Sequence, residues 1–143
     1  MREIIPGLVW IGNARDARDV TSVLKLGIVA VVDLAIEEIP CQFPREITYC
    51  RFPLLDGEEN SPALLRTATH TVAMLIEMQL PLLIACSGGM SRSPAIVAIA
   101  LSRTTNESSS EWLKGIASSG PCDVAPALWH DLQACDAEQN RTQ

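Results

Sequence analysis

The segment that most constrains the fold is the run PLLIACSGGMSRSP at residues 81–94. A short apolar stretch ends at Cys86, a loop rich in glycine and serine follows, and a second apolar stretch begins directly after Pro94. This order predicts a strand, a tight loop and a helix. Because the loop residues are small or flexible, their backbone N–H groups can turn inward, and the helix directs its N-terminus at the same place. Such a place binds an oxyanion.

Two side chains in this segment carry chemistry. Cys86 lies at the base of the predicted cradle, where the helix dipole and the inward N–H groups favour a thiolate. Arg92 supplies a planar fork of donors that matches two phosphate oxygens. The other candidate substrate-binding residues, which lie between these two, are Ser87, Gly88, Gly89, Met90 and Ser91. Together they predict the attack of sulfur on the phosphorus of a bound phosphomonoester.

The spacing of Cys86 and Arg92, with Gly89 between them and Ser93 after them, resembles the CX5R P-loop of the cysteine-dependent protein tyrosine phosphatase superfamily. The rest of the chain is similar to the small dual-specificity branch over roughly residues 3–135. The segments that carry this similarity are residues 5–12, 26–34 and 52–56, which resemble its opening strand pair, its helix-to-strand turn and its general-acid segment. The resemblance implies a protein phosphatase, a hydrolase that needs neither metal nor cofactor.

Phosphoryl transfer to sulfur also requires an acid for the leaving oxygen. Asp56 is the candidate, because it precedes a glycine in a loop that can place a carboxylate over the cradle, and the resemblance puts the general acid there too. Asp56 would then activate water against the cysteinyl phosphate. The Ser93 hydroxyl can donate to the departing thiolate, although a serine near a helix start is also a common cap. The competing carboxylates are Asp33, Glu58 and Glu59.

One position departs from the family pattern. The family usually has a histidine immediately before the cysteine, whereas this chain has Ala85. In the family this histidine is understood to hydrogen-bond into the loop and to help keep the cysteine ionised, and alanine does neither. Ala85 therefore leaves a weakly active or inactive phosphate-binding pseudophosphatase open. A rhodanese-like sulfurtransferase is a further alternative, because it also places a cysteine in a Gly/Arg/Ser loop after a strand. Its loop is usually one residue shorter between cysteine and arginine, so the spacing here favours phosphate.

Charge restricts the substrate and the partners. The net charge is −6, whereas proteins that bind nucleic acids or anionic membranes in general carry an excess of positive charge. We therefore expect neither kind of partner. The loop itself contributes no lysine or arginine before Arg92, which disfavours highly charged phosphoinositide head groups. The predicted substrate is a phosphorylated Tyr, Ser or Thr side chain of a protein, or a small phosphomonoester. We expect the protein to act as a monomer.

The remaining composition concerns the compartment. No apolar run reaches the length of a membrane span, and Met1 is not followed by a secretory signal, so the sequence predicts a cytoplasmic protein. The five cysteines form an odd set without a close pair, which fits neither a disulfide framework nor a zinc site.

Apolar periodicity along the chain predicts alternating strands and helices. Strands are expected in a hairpin over residues 4–11 and over residues 28–34, 47–52 and 82–85; helices are expected from about residue 16, over 62–79 and 94–103, and from about residues 110 and 123. This order predicts one α/β domain over residues 1–143, with a mainly parallel central sheet flanked by helices and a disordered tail from about residue 138. Ligands of such sheets bind beyond the carboxyl ends of the strands, which is where Cys86 falls.

Overall fold

A five-stranded sheet forms the centre of the computed structural model, which describes residues 1–142. The strands are β1 (Arg2–Ile5), β2 (Val9–Gly12), β3 (Ala30–Ala35), β4 (Thr48–Leu54) and β5 (Leu82–Ala85). Their spatial order is β1-β2-β5-β3-β4; β1 is antiparallel to β2, and the other neighbouring pairs are parallel. The predicted α/β fold with a mainly parallel sheet is thus confirmed.

Helices cover both faces of the sheet. They are α1 (Ala14–Arg18), α2 (Val20–Lys25), α3 (Pro62–Glu77), α4 (Arg92–Thr104), α5 (Ser109–Ser119) and α6 (Pro126–Arg141). Successive residues of a strand point to opposite faces, so Leu82 and Ile84 pack into the larger core with α3 to α6, whereas Leu83 packs with α1 and α2. Burial on both faces explains why the central strands read as continuous apolar runs.

Helix α4 is the buried centre of the larger core, as its sequence predicts. Residues 92–101 are all buried, and the helix contacts α3, α5 and α6. It begins directly behind the β5 loop, so the core holds the N-terminus of α4 against the carboxyl end of the sheet. None of the described helices is both long and apolar enough to cross a membrane.

Two segments differ from the sequence prediction. The helix expected from about residue 16 is two short helices, because Asp19 ends α1 and caps α2 by accepting hydrogen bonds from the Ser22 N–H (3.2 Å) and hydroxyl (2.6 Å). At the other end, α6 continues to Arg141, so residues 138–141 are helical where a disordered tail was expected. Of that predicted tail, Gln143 lies outside the described residues.

Candidate active site

The loop after β5 folds around the sulfur of Cys86. This residue is only 2% exposed, and the Gly89 N–H donates to its Sγ atom at 3.2 Å. The loop is tied to the end of β2, since the Cys86 N–H donates to the Gly12 carbonyl (3.3 Å) and the Ala14 N–H donates to the Ser87 carbonyl (3.1 Å). Cys86 is therefore fixed at the carboxyl end of the sheet, as predicted.

Gly89 is required by the conformation of the loop. Its φ angle is +72°, a left-handed value that side chains disfavour. A Cβ atom at this position would also lie 3.0 Å from the carbonyl carbon and oxygen of Gly12. Glycine is thus the residue that lets the loop pass close to β2 and still aim an N–H group at the sulfur.

A small cavity of about 150 Å³ opens above Cys86. Its lining residues are Asp56, Cys86, Gly88, Met90, Ser91, Arg92 and Asp123. The structure thus brings together most of the residues predicted for the site. Ser87 and Gly89 are not among the lining residues; the Ser87 hydroxyl donates instead to Glu38 at 2.8 Å.

Asp56 is held over this cavity by a hydrogen bond to the loop. Its Oδ1 atom accepts from the Ser91 hydroxyl at 2.5 Å, and the oxygen of that hydroxyl accepts from the Ala125 N–H at 2.9 Å. The loop that carries Asp56 is closed by Asn60, whose side chain bonds both the N–H (2.8 Å) and the carbonyl (2.9 Å) of Leu55. The carboxylate therefore lies at the cavity in this structure without a further loop movement.

The competing carboxylates are placed elsewhere. Asp33 is buried and accepts a hydrogen bond of 2.5 Å from the Tyr49 hydroxyl. Burial, and then this hydrogen bond, raise the pKa of Tyr49 to about 12. Glu58 and Glu59 follow Asp56 in the loop but do not line the cavity. Asp56 is thus the one among the four candidates that reaches it.

Arg92 is buried, and its two ends have different surroundings. Its Nη1 atom donates to Glu37 (2.8 Å) and to the Leu54 carbonyl (2.9 Å), and its Nη2 atom donates to the second oxygen of Glu37. The Nε atom is buried and has no hydrogen-bond partner among the described residues. Glu37 and the Leu54 carbonyl thus occupy the two Nη atoms, which we call the outer end of the guanidinium, and the inner Nε–H is the donor without a partner in a residue that lines the cavity.

Ser93 is buried directly after Arg92. Its hydroxyl has no hydrogen-bond partner among the residues that the structure describes, and it does not line the cavity. It is not bonded to the Cys86 sulfur, so its predicted donation to the thiolate stays a prediction.

The sequence analysis missed three acidic residues of the site. Glu37 binds Arg92, Glu38 binds Ser87, and Asp123 lines the cavity. Glu37 and Glu38 follow strand β3, which lies beside β5, so the carboxyl ends of the two strands meet. That adjacency is the signal that points to them, but it depends on the strand order.

Ala85 is the residue that departs from the pattern of the phosphatase family that the loop resembles. It is 1% exposed and packs in the smaller apolar core, which includes Trp10 and Ala17. Its methyl group offers no hydrogen bond, so the loop is held by its backbone bonds to Gly12, Ala14 and Asp123 and by the hydroxyl bonds of Ser87 and Ser91.

The pair between Glu37 and Arg92 predicts a pH-dependent stability. The hydrogen bonds from Arg92 hold the pKa of the Glu37 carboxyl below its usual 4.5, so the pair stabilises the fold above that pH and is lost as the pH falls through the lowered value. We expect Glu37→Gln to lower the free energy of unfolding at pH 7 by about 1 kcal/mol, a modest effect because the Glu37 side chain is 48% exposed.

Urea unfolding at pH 7 and near pH 3.5 measures this effect. The difference between wild type and Glu37→Gln should narrow in acid as the wild-type carboxyl becomes protonated. Glu46→Gln is the matched control, because Glu46 is exposed and has no ion pair among the described residues. An equally wide difference at both pH values would contradict the role of the charge.

Comparison with known proteins places the fold. The sequence matches no protein-family model and no curated protein. Solved structures do match: human DUSP28 with a TM-score of 0.85 and 21% identity over 100% of both chains, and a human tyrosine phosphatase-like serine/threonine/tyrosine-interacting protein with a TM-score of 0.82 and 21% identity over 98% of this chain and 97% of that one. OH1 from the Orf virus, a tyrosine phosphatase, matches with a TM-score of 0.67 and 19% identity over 95% of this chain and 83% of its own. The chain therefore has the fold of the dual-specificity phosphatase branch of the protein tyrosine phosphatase superfamily.

Proposed function

We propose that this protein is a cysteine-dependent phosphatase that hydrolyses phosphomonoesters through a cysteinyl-phosphate intermediate. The observation that carries the proposal is the cavity of about 150 Å³, which Cys86, Arg92 and Asp56 line together. A nucleophile, a cationic donor and an acid are the groups that this reaction requires.

In the first step the Cys86 thiolate attacks phosphorus and the bond to the leaving oxygen breaks. The Nε–H of Arg92 and N–H groups of the loop hold the equatorial oxygens, and Asp56 gives its proton to the leaving oxygen. In the second step water attacks the phosphorus of the cysteinyl phosphate and gives a proton to Asp56. The sulfur then leaves as a thiolate and inorganic phosphate is released.

The proposed substrates are phosphotyrosine and phosphoserine or phosphothreonine side chains. The cavity contains one arginine and two carboxylates, which suits a single phosphate group rather than several. The fold shared with dual-specificity phosphatases supports this substrate class.

A second candidate is a pseudophosphatase that binds phosphate and turns it over poorly. Ala85 favours it, because the loop lacks the side-chain hydrogen bond that the family histidine supplies. The placement of Asp56 at the cavity favours the enzyme, because a module that only binds phosphate needs no proton donor there.

Phosphate release in the presence of EDTA tests the proposal. We expect metal-independent turnover of an aryl phosphate and of phosphotyrosine and phosphothreonine peptides. Asp56→Asn should lower kcat/KM for the phosphothreonine peptide by a factor on the order of 10² to 10⁴ and kcat/KM for the aryl phosphate much less, because an alkoxide needs a proton more than an electron-poor phenoxide does.

The matched control is Glu58→Gln, which removes a carboxylate from the same loop outside the cavity. It should keep the wild-type ratio of kcat/KM between the phosphothreonine peptide and the aryl phosphate. Phosphate binding without turnover would favour the pseudophosphatase, and transfer of sulfur from thiosulfate to cyanide would favour the sulfurtransferase. Equal losses of kcat/KM for the phosphothreonine peptide and the aryl phosphate in Asp56→Asn would contradict the role of the acid.

A further inference from the structure

A second and larger cavity adjoins the catalytic one. It has a volume of about 550 Å³ and lies between helices α5 and α6 and the segment that joins them. Three of its walls are the large apolar side chains of Leu113, Val124 and Trp129, each of which packs on the core and is partly exposed. We call this cavity the apolar groove.

The apolar groove and the catalytic cavity are neighbours, because Asp123 lines both. The segment around Asp123 is tied to the phosphate loop, since the Asp123 N–H donates to the Met90 carbonyl at 2.7 Å and the Ala125 N–H donates to the Ser91 hydroxyl oxygen at 2.9 Å. These bonds hold the segment that separates the two cavities, so the cavities are neighbours in a fixed relation to each other.

The exposed charge on the segments around the catalytic cavity is negative, and the one lysine that lines the groove, Lys114, pairs with Glu111 at 3.1 Å. Asp123 is exposed and forms no ion pair among the described residues. Glu58 and Glu59 are also exposed, on the loop that carries Asp56. A second anionic group beside the bound phosphate would be repelled by these carboxylates, whereas a neutral or basic group would not be.

We propose that the apolar groove is a substrate subsite that takes an apolar side chain of a phosphopeptide whose phosphorylated residue occupies the catalytic cavity. The proposal rests on the proposed phosphatase function and adds the substrate class. A peptide suits the two cavities because one extended chain can place a phosphorylated and an apolar side chain in them, with a neutral or basic residue beside Asp123. An anionic lipid surface is disfavoured, because its head groups would meet the exposed carboxylates and a net charge of −6.

Matched phosphotyrosine peptides test the subsite. Leu, Ala or Glu is placed in turn at each position within about three residues of the phosphotyrosine, since an extended chain advances about 3.3 Å per residue. At one of these positions we expect kcat/KM for the Leu peptide to exceed that for the Ala peptide about tenfold. The Glu peptide should be the poorest substrate of the three.

The variant Ala117→Phe tests which surface provides this preference. Ala117 is an exposed residue of α5 that lines the apolar groove, so a phenyl ring there fills the groove without entering the core. In Ala117→Phe, the ratio of kcat/KM between the Leu and Ala peptides should fall to near one. The matched control is Ser118→Phe, which adds the same ring at the next exposed position of α5, outside the groove, and should keep the wild-type ratio.

Binding of the same peptides to Cys86→Ser tests the subsite without turnover. The dissociation constants should show the same preference for Leu. An unchanged ratio in Ala117→Phe, or no preference for Leu at any position, would overturn the proposal. Faster hydrolysis of a phosphorylated lipid in anionic vesicles than of every peptide would also overturn it. If no phosphomonoester is hydrolysed at all, the proposed function fails, while a Leu preference in the dissociation constants still supports the subsite.

Discussion

The variant Cys86→Ser is expected to lose phosphate release by at least about 10⁴-fold. The hydroxyl of serine stays protonated near neutral pH, whereas a thiolate is a strong nucleophile at the same position. In the structure the Gly89 N–H donates to the sulfur and the N-terminus of α4 follows the loop, so the backbone stabilises negative charge at this atom. Release of inorganic phosphate from an aryl phosphate measures the loss.

Two measurements keep this result specific. Tungstate should still bind to Cys86→Ser, because the loop amides and the Nε–H of Arg92 are unchanged. Cys41→Ser is the matched control, because Cys41 is a partly buried thiol outside the cavity, and it should keep wild-type turnover. Substantial turnover by Cys86→Ser would show that another group, such as a water activated by Asp56, is the nucleophile.

Most of the fold could be predicted because local sequence carries it. Helix α3 begins where Ser61 accepts a hydrogen bond from the Leu64 N–H and Pro62 occupies the first turn. A serine followed by a proline is a pattern that predicts a helix start from the sequence alone. The break between α1 and α2 was missed, because the apolar stripe from Ala17 to Val23 continues across it. Only the side-chain bonds of Asp19 to Ser22 show that the helix ends and restarts there.

Some residues of the site could likewise be predicted from local sequence, and others could not. Cys86 and Arg92 lie in one short loop, so their spacing alone predicts that they meet. Glu37 binds Arg92 across a sequence separation of 55 residues, and that contact depends on β3 lying beside β5. Asp123 reaches the cavity from the segment between α5 and α6, through a backbone bond to Met90. No residue pattern encodes these contacts, because the strand order and the packing of the helices decide them.

Arg92→Lys is also expected to lose most of its activity, because the two ends of the guanidinium have different partners. The outer nitrogens bind Glu37 and the Leu54 carbonyl, while the inner Nε–H is buried and without a partner among the described residues. A lysine has one ammonium group, which can bind Glu37 or the phosphate but cannot reproduce both sets of bonds. The charge is kept in this variant and the geometry of the donors is lost.

We expect Arg92→Lys to lower kcat/KM by a factor on the order of 10³, since removal of one preorganised donor costs about 10² to 10³. Tungstate should also bind more weakly, which separates loss of the phosphate donors from a change at Cys86. Arg103→Lys is the matched control, because Arg103 lies on the same helix and pairs with Asp136 at 2.9 Å, away from the cavity. Loss of kcat/KM in Arg92→Lys but not in Arg103→Lys, with similar losses of thermal stability in both, would show that the inner edge of Arg92 binds the substrate. If kcat/KM is the same in the two variants, the bonds of Arg92 to Glu37 and Leu54 serve only the stability of the fold.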